Sequence, residues 1–515
     1  MTHRVDIVVV GASLGGVLAA WRAAQSGCKV LLMAEHRWLG GQMTAQAVPP
    51  DEHGLIEFGG ASQSYLDFRA AIRAHYRAQP GFLDQATLTE GSNPGDGWVS
   101  RLCFEPAVAA AWFEALLLPE VQAGRLRVFR GMRAVAATAR GADVLAVRFE
   151  AADPARGPAV EFHADVFVDA TDTGELLALA QQTYRVGKEA ASEFGEPDAP
   201  ERADALDQQP ITHVFALRRS VTPGPVVPAP VSYAVWREHR VAHYGHRLFS
   251  EALPGRERGV SAQLPLQAEG GTLDWWRYRR IVSAAQWQPP REDITLVNWA
   301  QNDYALHPLI DGPRPMHEVL AGARELSQAF LHWLQTEAPR PGGGHGWPEW
   351  QPAADVLGTP DGWAMQAYVR ESRRIVARDT LTQGHLLVAP AGRPDSVGIG
   401  WYNLDIHPTC RSGHGTNAVV QPFELPLGAF IPAQGGNLVP ACKNIGVTHL
   451  ANACTRVHPI EWLIGEVAGV LAAMRWREGW PDRPQQRAAL MSQLRAIGVP
   501  LHWPDELLAR RPASH

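Results

Sequence analysis

The first forty-five residues constrain the fold most, because they follow the order strand, turn, helix, strand. Residues 5–10 (VDIVVV) form a largely apolar, β-branched run, as expected for a strand buried on both faces of a parallel sheet. Gly11 opens a tight turn, and a small-residue helix is predicted over residues 15–26, with Gly27 as its left-handed C-terminal cap. Residues 29–33 are predicted as the next buried strand. The pattern predicts one βαβ unit and therefore an α/β fold.

The turn after the first strand carries a dinucleotide-binding fingerprint, G-x-G-x-x-G, with Ser13 in place of its second glycine. The glycines allow a tight turn, and the helix N-terminus offers free N–H groups to a pyrophosphate. Glu35, just after the second strand, is suited to accept hydrogen bonds from the adenosine ribose. The residues predicted to bind the dinucleotide are Gly11, Ser13, Leu14, Gly15, Gly16, Glu35 and His36.

The same turn also matches the nucleophile elbow of serine hydrolases. Residues 11–15 spell G-x-S-x-G between a strand and a helix. That active site needs an oxyanion hole from an earlier strand, and only ten residues precede Gly11. The dinucleotide interpretation is therefore favoured, and a hydrolase is the weaker alternative.

A second glycine pair, Gly40 and Gly41, is followed by Gln42 and Thr44. Close backbone approach so soon after the ribose-binding acid favours a flavin dinucleotide over NAD, although two adjacent glycines are also common in simple turns. No second glycine-rich βαβ unit for a nicotinamide cofactor follows in the sequence.

The rest of the chain is predicted more coarsely. Residues 50–100 read as loop-rich, and residues 190–360 are dense in proline and tryptophan. Tryptophan faces can stack on a sugar or an aromatic ring, but burial in a core is their more frequent use. The other predicted elements are a helix over 105–122, a β-meander over 125–150, a strand over 165–170 with a following helix, a strand over 437–445 and a helix over 460–475.

Composition describes an ordinary globular chain. Forty-seven basic residues against 53 acidic ones give a net charge of −6, and 46% of residues are hydrophobic. This excludes a collagen-like or disordered protein and removes the simplest argument for nucleic-acid binding. Five cysteines without a C-x-x-C pair, no predicted signal peptide and no membrane-length apolar run lead us to expect a cytoplasmic protein without a membrane or nucleic-acid partner.

Ten separated strings together resemble the bacterial FAD-dependent oxidoreductase family. They are VVVGASLGG (8–16), LGGQMT (39–44), RLCFEP (101–106), FVDATDTGEL (167–176), YRVGKE (184–189), NWAQNDY (298–304), LGTPDG (357–362), YVRESRRI (368–375), SVGIGWYNLDIHPT (396–409) and NLVPACKNIGVTHLANACTRVHP (437–459). The resemblance runs from about residue 5 to 475. It implies FAD as the cofactor, bound by a discontinuous Rossmann-type domain of residues 1–190 and 395–475. A mixed α+β substrate domain is expected over 191–394, and a C-terminal helical extension over 476–515.

The resemblance also implies roles for individual residues. Gly11, Gly15 and Gly16 would line the pyrophosphate, and Glu35 would bind the ribose. The strand at 437–445 would pass under the isoalloxazine, where this chain has Ala441-Cys442-Lys443 in place of a Gly-Arg-Cys-like string. The other residues expected near the flavin are Gly40, Gly41, Gln42, Thr44, Ala170, Thr171, Lys443, Asn444 and Ile460.

Flavin chemistry predicts which further groups the site needs. A reduced flavin carries negative charge at N1 and O2, which the N-terminus of the helix near Ile460 can stabilise, with Lys443 and Arg456 as other sources of positive charge. Oxidation of a substrate O–H or N–H needs a base, for which His407 and His449 are the main candidates and His458 a further one.

Arg370 is predicted to clamp a carboxylate or phosphate of the substrate, together with Arg373 and Arg374, although a salt-bridge network with Glu371 is a plainer alternative. His407, Cys410 and His414 lack the ligand spacing of a closed zinc site, so no metal is predicted.

We therefore expect hydride transfer between flavin N5 and a small organic substrate, with an unidentified electron acceptor. The tryptophan-rich middle of the chain favours a hydroxylated or sugar-like substrate. A flavin-dependent monooxygenase and a flavin-bound scaffold without catalysis are the alternatives.

Overall fold

The computed structural model of the chain describes residues 3–88, 91–153, 157–255, 259–268 and 272–510. The strands in these ranges are β1 (His3–Val10), β2 (Val30–Ala34), β3 (Leu126–Arg130), β4 (Met132–Arg140), β5 (Asp143–Ala151), β6 (Val160–Asp169), β7 (Tyr184–Arg185), β8 (Ile211–Thr212), β9 (Phe215–Arg219), β10 (Ala252–Pro254), β11 (Ser261–Gln263), β12 (Arg280–Val282), β13 (Ile294–Val297), β14 (Asp303–Tyr304), β15 (Trp350–Pro352), β16 (Tyr368–Val369), β17 (Arg374–Ile375), β18 (Ser396–Gly400), β19 (Leu404–Ile406), β20 (Thr416–Ala418), β21 (Phe423–Pro426) and β22 (Leu438–Pro440).

The helices of the same ranges are α1 (Leu14–Gln25), α2 (Gln63–Arg77), α3 (Pro106–Gln122), α4 (Glu175–Leu179), α5 (Ala191–Phe194), α6 (Tyr233–Glu238), α7 (Trp275–Tyr278), α8 (Met316–Thr336), α9 (Gln383–Leu386), α10 (His449–Thr455), α11 (His458–Glu478), α12 (Pro484–Ala496) and α13 (Asp505–Ala509). Short 3-10 helices cover Gly41–Met43, Gly54–Phe58, Ala284–Gln286, Ala300–Asn302 and Leu427–Phe430.

The largest sheet joins the two ends of the chain. Its strands follow the order β3-β2-β1-β6-β5-β4, and β22 also pairs with β6. Strands β3, β2, β1, β6 and β22 run parallel, whereas β4 and β5 are antiparallel to their neighbours. The first half of β6 pairs with β5 and its last residues pair with β22, so residues 438–440 lie beside the carboxyl end of β6. The prediction of an α/β fold with a Rossmann-type sheet is confirmed.

Helices α1 and α11 pack closely because small residues face each other. A Cβ atom at Gly465 would lie 2.3 Å from the carbonyl oxygen of Gly15, and one at Gly469 would lie 2.4 Å from that of Ala19. Real Cβ atoms do not approach this closely, so glycine permits the contact. The N-terminal ends of the two helices are thereby brought together at the carboxyl edge of the parallel strands.

A second apolar core lies around helix α8. It includes Phe330 and Trp333 of α8 together with Trp276, Trp299 and Trp350, all buried. Two small antiparallel sheets surround it, one in the order β12-β13-β9-β15 and one in the order β14-β8-β16. Their strands lie between residues 211 and 369, inside the range expected for the substrate domain. The domain boundaries themselves remain a prediction.

Several elements differ from the sequence-based expectation. The loop-rich region 50–100 contains the fifteen-residue helix α2, which buries Tyr65, Phe68, Ile72 and Tyr76 on one face. This apolar spacing was available in the sequence. The expected meander over 125–150 includes β4 and β5, but β3 pairs with β2 in parallel instead, because its apolar side completes the buried sheet.

The C-terminal elements also differ in their limits. Only Leu438–Pro440 of the predicted strand over 437–445 is a strand, since the following residues leave the sheet and turn towards α1. The polar stretch after residue 448 is helix α10, and α11 begins at His458 instead of residue 460. The expected C-terminal helical extension contains the end of α11, α12 and α13, and residues 511–515 lie outside the described ranges.

Across the described ranges, no single helix is both long and apolar enough to cross a membrane. Helices α10 and α11 meet that test of length and composition only as a pair, bent by 97°.

Candidate active site

The turn after β1 is shaped by close backbone contacts. Gly11 has a φ of 95°, and a Cβ atom there would lie 2.4 Å from the carbonyl oxygen of Ala170. The Ser13 hydroxyl accepts a hydrogen bond from the Gly16 amide at 3.2 Å, so the serine that replaces the second glycine caps α1. The amides of Ser13 and Leu14 donate to no acceptor in the described part of the chain. The helix end therefore keeps donors available for an anion.

The next amide of α1 is already occupied by a carboxylate. The Gly15 amide donates to Oε1 of Glu461 at 3.3 Å. Gly15 cannot carry a larger side chain, because a Cβ atom would lie 1.7 Å from the carbonyl oxygen of Ala441. Glu461 lies in the first turn of α11 and is completely buried.

Glu461 belongs to a buried charged cluster with Lys443 and Asp172. The Lys443 ammonium lies 2.5 Å from the carboxylate of Asp172 and 3.5 Å from that of Glu461. Burial opposes the charge of Lys443, but the two carboxylates outweigh it and raise the pKa of Lys443. Burial raises the pKa of Glu461 despite the nearby lysine, whereas Lys443 overcomes burial at Asp172 and lowers the pKa of that carboxyl. Lys443 is thus a buried ion-pair residue.

The second glycine pair is packed between α3 and the start of α1. A Cβ atom at Gly40 would lie 2.4 Å from the ring of Phe113, and one at Gly41 would lie 2.8 Å from Cα of Ser13. The Gln42 amide group donates to Oε2 of Glu461 at 2.7 Å, while its own Oε1 is buried without a partner in the described ranges. Thr44 is buried and donates its hydroxyl to the carbonyl oxygen of Leu39 at 2.7 Å.

The other predicted cofactor residues surround the same edge of the sheet. Glu35 is exposed just after β2, with the partly exposed His36 beside it. Thr171 follows β6 and donates its hydroxyl to Asp169 at 2.7 Å, and the Asn444 side chain donates to the carbonyl oxygen of Asp169 at 2.9 Å. The fold therefore brings together the predicted cofactor residues, which are Gly11, Ser13, Leu14, Gly15, Gly16, Glu35, His36, Gly40, Gly41, Gln42, Thr44, Ala170, Thr171, Lys443, Asn444 and Ile460.

A cavity of about 400 Å³ is lined by a different set of residues. Its lining comes from residues 236–255, 275–306 and 402–417, together with Arg370. Trp236, Trp275, Tyr278 and Tyr402 supply aromatic surface. Both regions expected to form separate domains therefore contribute walls to the cavity.

His407 lies in the cavity wall between two carboxylates. Its Nδ1 is 2.5 Å from Asp303, and its Nε2 is 3.5 Å from Asp405. Burial and the guanidinium of Arg370 oppose protonation of the imidazole, but Asp303 and Asp405 outweigh them and raise the pKa of His407. About a quarter of the His407 side chain is exposed, so the ring is accessible from the cavity.

Arg370 is predicted to clamp a substrate anion, and the structure gives it protein partners. It contacts Asp303 at 2.9 Å and donates to the Thr212 hydroxyl and the carbonyl oxygen of Pro210, also at 2.9 Å. Its side chain is almost completely buried. Arg370 therefore holds Asp303, which in turn orients His407. Arg373 and Arg374 are likewise paired with acids, Asp311 and Glu189, whereas Glu371, the acid of the salt-bridge alternative, accepts the Gln209 amide.

Ion pairs and hydrogen bonds connect the cavity lining to the charged cluster of Glu461, Lys443 and Asp172. Arg456 pairs with Asp405 at 3.1 Å and donates to the Tyr368 hydroxyl at 2.7 Å. The backbone carbonyl of Arg456 accepts a hydrogen bond from Gln42 at 3.2 Å. On the other side, the Asp51 carboxylate lies 3.3 Å from cavity-lining Arg279, and the Asp51 amide donates to His458 in the first turn of α11.

His449 lies apart from His407 and does not line the cavity. It is buried, with Nδ1 3.0 Å from Glu189, and burial lowers its pKa although the carboxylate opposes that shift. His458 is also buried, beside the carbonyl oxygen of Val48. Among the described residues, no group of three His, Cys, Asp or Glu side chains is arranged to hold a metal ion.

Sequence reasoning missed several residues that the fold brings into the site. Asp303 and Asp405 lie inside strings already noted, NWAQNDY and SVGIGWYNLDIHPT, but nothing in their spacing indicated a shared histidine. Glu461 and Asp172 had no distinguishing signal, because their pairing with Lys443 depends on packing between distant segments.

A family model described as FAD dependent oxidoreductase matches residues 6–490. The chain therefore belongs to this family, whose cofactor is FAD, and it is an enzyme of the oxidoreductase class. No curated protein matches the chain.

Solved structures give weaker likenesses. The myxobacterial chondrochloren halogenase CndH is 17% identical with a TM-score of 0.22, and the match covers 44% of this chain and 46% of that one. AlpK is 12% identical with a TM-score of 0.36, over 98% and 71% of the two chains. A single-residue variant of E. coli quinol fumarate reductase FrdA is 13% identical with a TM-score of 0.32, over 96% and 74%. The chain thus spans about half of the halogenase. These TM-scores carry no argument about the reaction.

The residues around α1 fit the cofactor of the family. The unpaired amides of Ser13 and Leu14 suit a diphosphate, and the exposed Glu35 suits a ribose. The unpaired Oε1 of Gln42 is an acceptor that a flavin N–H can satisfy. An unexpected feature is that the Glu461 carboxylate already contacts the N-terminal end of α1.

Proposed function

We propose that this protein uses FAD to transfer a hydride to or from a small hydroxylated compound bound in the cavity. The observation that carries the proposal is His407, which is oriented by Asp303 and accessible from a cavity. Arg456 links Asp405 of the cavity lining to Gln42, one of the predicted cofactor residues. FAD, when bound, supplies the hydride acceptor or donor. The diphosphate is assigned to the N-terminus of α1 and the ribose to Glu35.

His407 is proposed as the general base. Its Nδ1 is held by Asp303, whereas Nε2 lies at the longer distance of 3.5 Å from Asp405, so Nε2 is the nitrogen proposed to face a substrate hydroxyl beside that carboxylate. As the hydride leaves the substrate carbon, Nε2 takes the hydroxyl proton and the carbonyl double bond forms. Arg370 acts as a positioning residue, since it fixes the other oxygen of Asp303. Neither His449 nor a metal ion has a part in this scheme.

Ion pairs near His407 favour a substrate with hydroxyl groups at this part of the wall. Three ion pairs border the cavity, namely Arg370–Asp303, Arg456–Asp405 and Arg279–Asp51. Each of these three guanidinium groups has a carboxylate partner, whereas Arg240, elsewhere in the lining, donates to the carbonyl oxygen of Gly245. Hydroxyl groups can both donate to the carboxylates and accept from the guanidinium groups. The aromatic lining of Trp236 and Tyr402 adds surface for a sugar-like ring.

The test is anaerobic reduction of the purified, FAD-loaded protein. A panel of polyols and sugars should bleach the flavin absorbance without any other reductant. If NADPH with oxygen is required before any substrate is consumed, the enzyme is a monooxygenase. If no donor or substrate reduces the flavin, the scaffold alternative replaces the enzyme proposal. Covalent labelling of Ser13 by a fluorophosphonate would instead support the hydrolase, although Ser13 is buried and caps α1.

A further inference from the structure

The anion-binding end of α1 holds an internal carboxylate. Glu461 accepts hydrogen bonds from the Gly15 amide at 3.3 Å and from Gln42 at 2.7 Å, and it is completely buried. It lies in the first turn of the twenty-one-residue helix α11, while Gly15 lies in the first turn of the twelve-residue helix α1. Two helix N-termini, each with a partial positive charge, therefore meet at one carboxylate.

The position of Glu461 is fixed by the backbone. Gly465, one turn after Glu461, allows α11 to touch Gly15 directly, and Gly15 in turn contacts Ala441. The backbone at Glu461 therefore cannot move away from the end of α1 without a large change in how the two helices pack. An anion bound to the neighbouring amides of Ser13 and Leu14 would have to share this region with Glu461.

The cluster already holds more acid than base. Lys443 supplies one positive charge, and Asp172 and Glu461 would supply two negative charges if both were ionised. The diphosphate of FAD adds two further negative charges and remains ionised throughout the neutral range. Charges of the same sign this close repel strongly in a buried site. One proton on Glu461 removes the excess without moving any backbone.

We infer that Glu461 becomes protonated when FAD binds, so that FAD binding by this protein is coupled to the uptake of one proton. This inference rests on the proposed position of FAD at α1. The neutral acid still accepts the Gly15 amide through Oε1, its Oε2 can still accept from Nε2 of Gln42, and its new O–H becomes a donor for a phosphate oxygen.

Other groups around Glu461 support the same assignment. Asp172 keeps the short contact to Lys443, which lowers the pKa of Asp172. The proton therefore goes to Glu461, whose pKa is raised by burial.

Cys442 and Asp169 lie on the elements that pack against the cluster, and burial raises the pKa of both. His458 begins α11, near Asp51, and burial lowers its pKa to about 4, so it stays neutral. Asp169 accepts hydrogen bonds from Thr171 and from the Leu177 amide, whereas Glu461 contacts the Gly15 amide at the end of α1 and Gln42, so its position favours Glu461 as the proton acceptor.

The test is titration of the full-length apoprotein with FAD by calorimetry, in two buffers that differ in ionisation enthalpy. At a pH where free Glu461 is ionised, about one proton should be taken up per FAD, and the Kd should rise up to tenfold per pH unit. In Glu461→Gln the proton uptake should vanish and the Kd should lose its pH dependence. Glu478→Gln, an exposed carboxylate at the far end of the same helix, should behave as the wild type.

Each outcome decides the inference. FAD binding without proton uptake by the wild type overturns it, and this measurement does not depend on the folding of any variant. Uptake that persists in a folded Glu461→Gln protein assigns the proton to another group and also overturns it. If the wild type binds no FAD in this experiment, the proposed cofactor site itself fails, which is a distinct result.

Discussion

Glu461 and Asp405 are both carboxylates beside a buried cation, yet their surroundings differ greatly. Glu461 is completely buried at the ends of two helices, where it shares Lys443 with Asp172. Asp405 has its own guanidinium partner in Arg456, and about a quarter of its side chain is exposed. The first region is closed by backbone contacts and the second opens into a cavity. The proposed function assigns the cofactor to the closed region and the substrate to the open region.

The strongest test of this division is His407→Ala in the open region. Loss of a general base is expected to lower kcat/KM by about 10²–10⁴-fold, because alanine removes the nitrogen proposed to accept the substrate proton. Stopped-flow measurement of flavin reduction by the substrate checks the rate, and the bound FAD content should stay unchanged. His75→Ala, at an exposed position on α2, is the control. An unchanged rate of flavin reduction would show that His407 is not the general base.

Gly15→Ala tests the closed region. A Cβ atom would meet the carbonyl oxygen of Ala441 at 1.7 Å, so the two segments must separate. We expect the free energy of unfolding to fall by about 1–3 kcal/mol, with weaker FAD retention, as measured by denaturant titration and by flavin absorbance. Gly384→Ala is the matched control, since its nearest neighbour atom would lie 3.5 Å away. Equal stability of the two variants would contradict the tight packing of α1.

His449→Gln distinguishes a structural histidine from a catalytic one. His449 is buried against Glu189 and lies outside the cavity, and Arg374 still pairs with Glu189 after the substitution. The variant should lose about 1–2 kcal/mol of stability and keep its rate of flavin reduction within about twofold. Thermal unfolding and stopped-flow data should be compared on the same preparation. Slower flavin reduction at unchanged stability would show that His449 takes part in the reaction.

The pH dependence of kcat/KM is expected to show the smallest effect of these tests. A base must be neutral to accept a proton, and Asp303 and Asp405 raise the pKa of His407. The value of kcat/KM should therefore fall as the pH drops through a pKa above the usual value for histidine. Asp405→Asn removes one of the two carboxylates and should move this fall to lower pH. A profile that does not move would show that Asp405 has no influence on the base.

Much of the closed region could be predicted from sequence. The order of β1, the Gly11 turn, α1 and β2 follows from local apolar runs and small residues, and the ends of these elements agree within one or two residues. The glycines at 40 and 41 were likewise identified from their spacing. Their detailed use differs, because Gly15 and Gly41 serve contacts between protein segments in this structure.

The open region could be predicted only in part. His407 and Arg370 were selected by residue type and by the strings that contain them. Their shared partner Asp303 comes from a segment about a hundred residues away from His407, on a different strand. The periodicity of the sequence does not predict that Asp303 pairs with His407 and Arg370, because this pairing depends on how two small sheets pack. His449 looked equivalent to His407 in the sequence and proved to be buried elsewhere.

The sequence by itself determined the βαβ unit, the charge at the end of β2 and the family of the chain, since each depends on residues close together or on recognisable strings in a fixed order. Tertiary structure decided which acids share a cation, which histidine reaches a cavity and which carboxylate meets the end of α1. Those outcomes depend on contacts between segments separated by up to 446 positions, such as Gly15 and Glu461. Electrostatic energy depends on the distance between charges in space, and local sequence does not fix that distance.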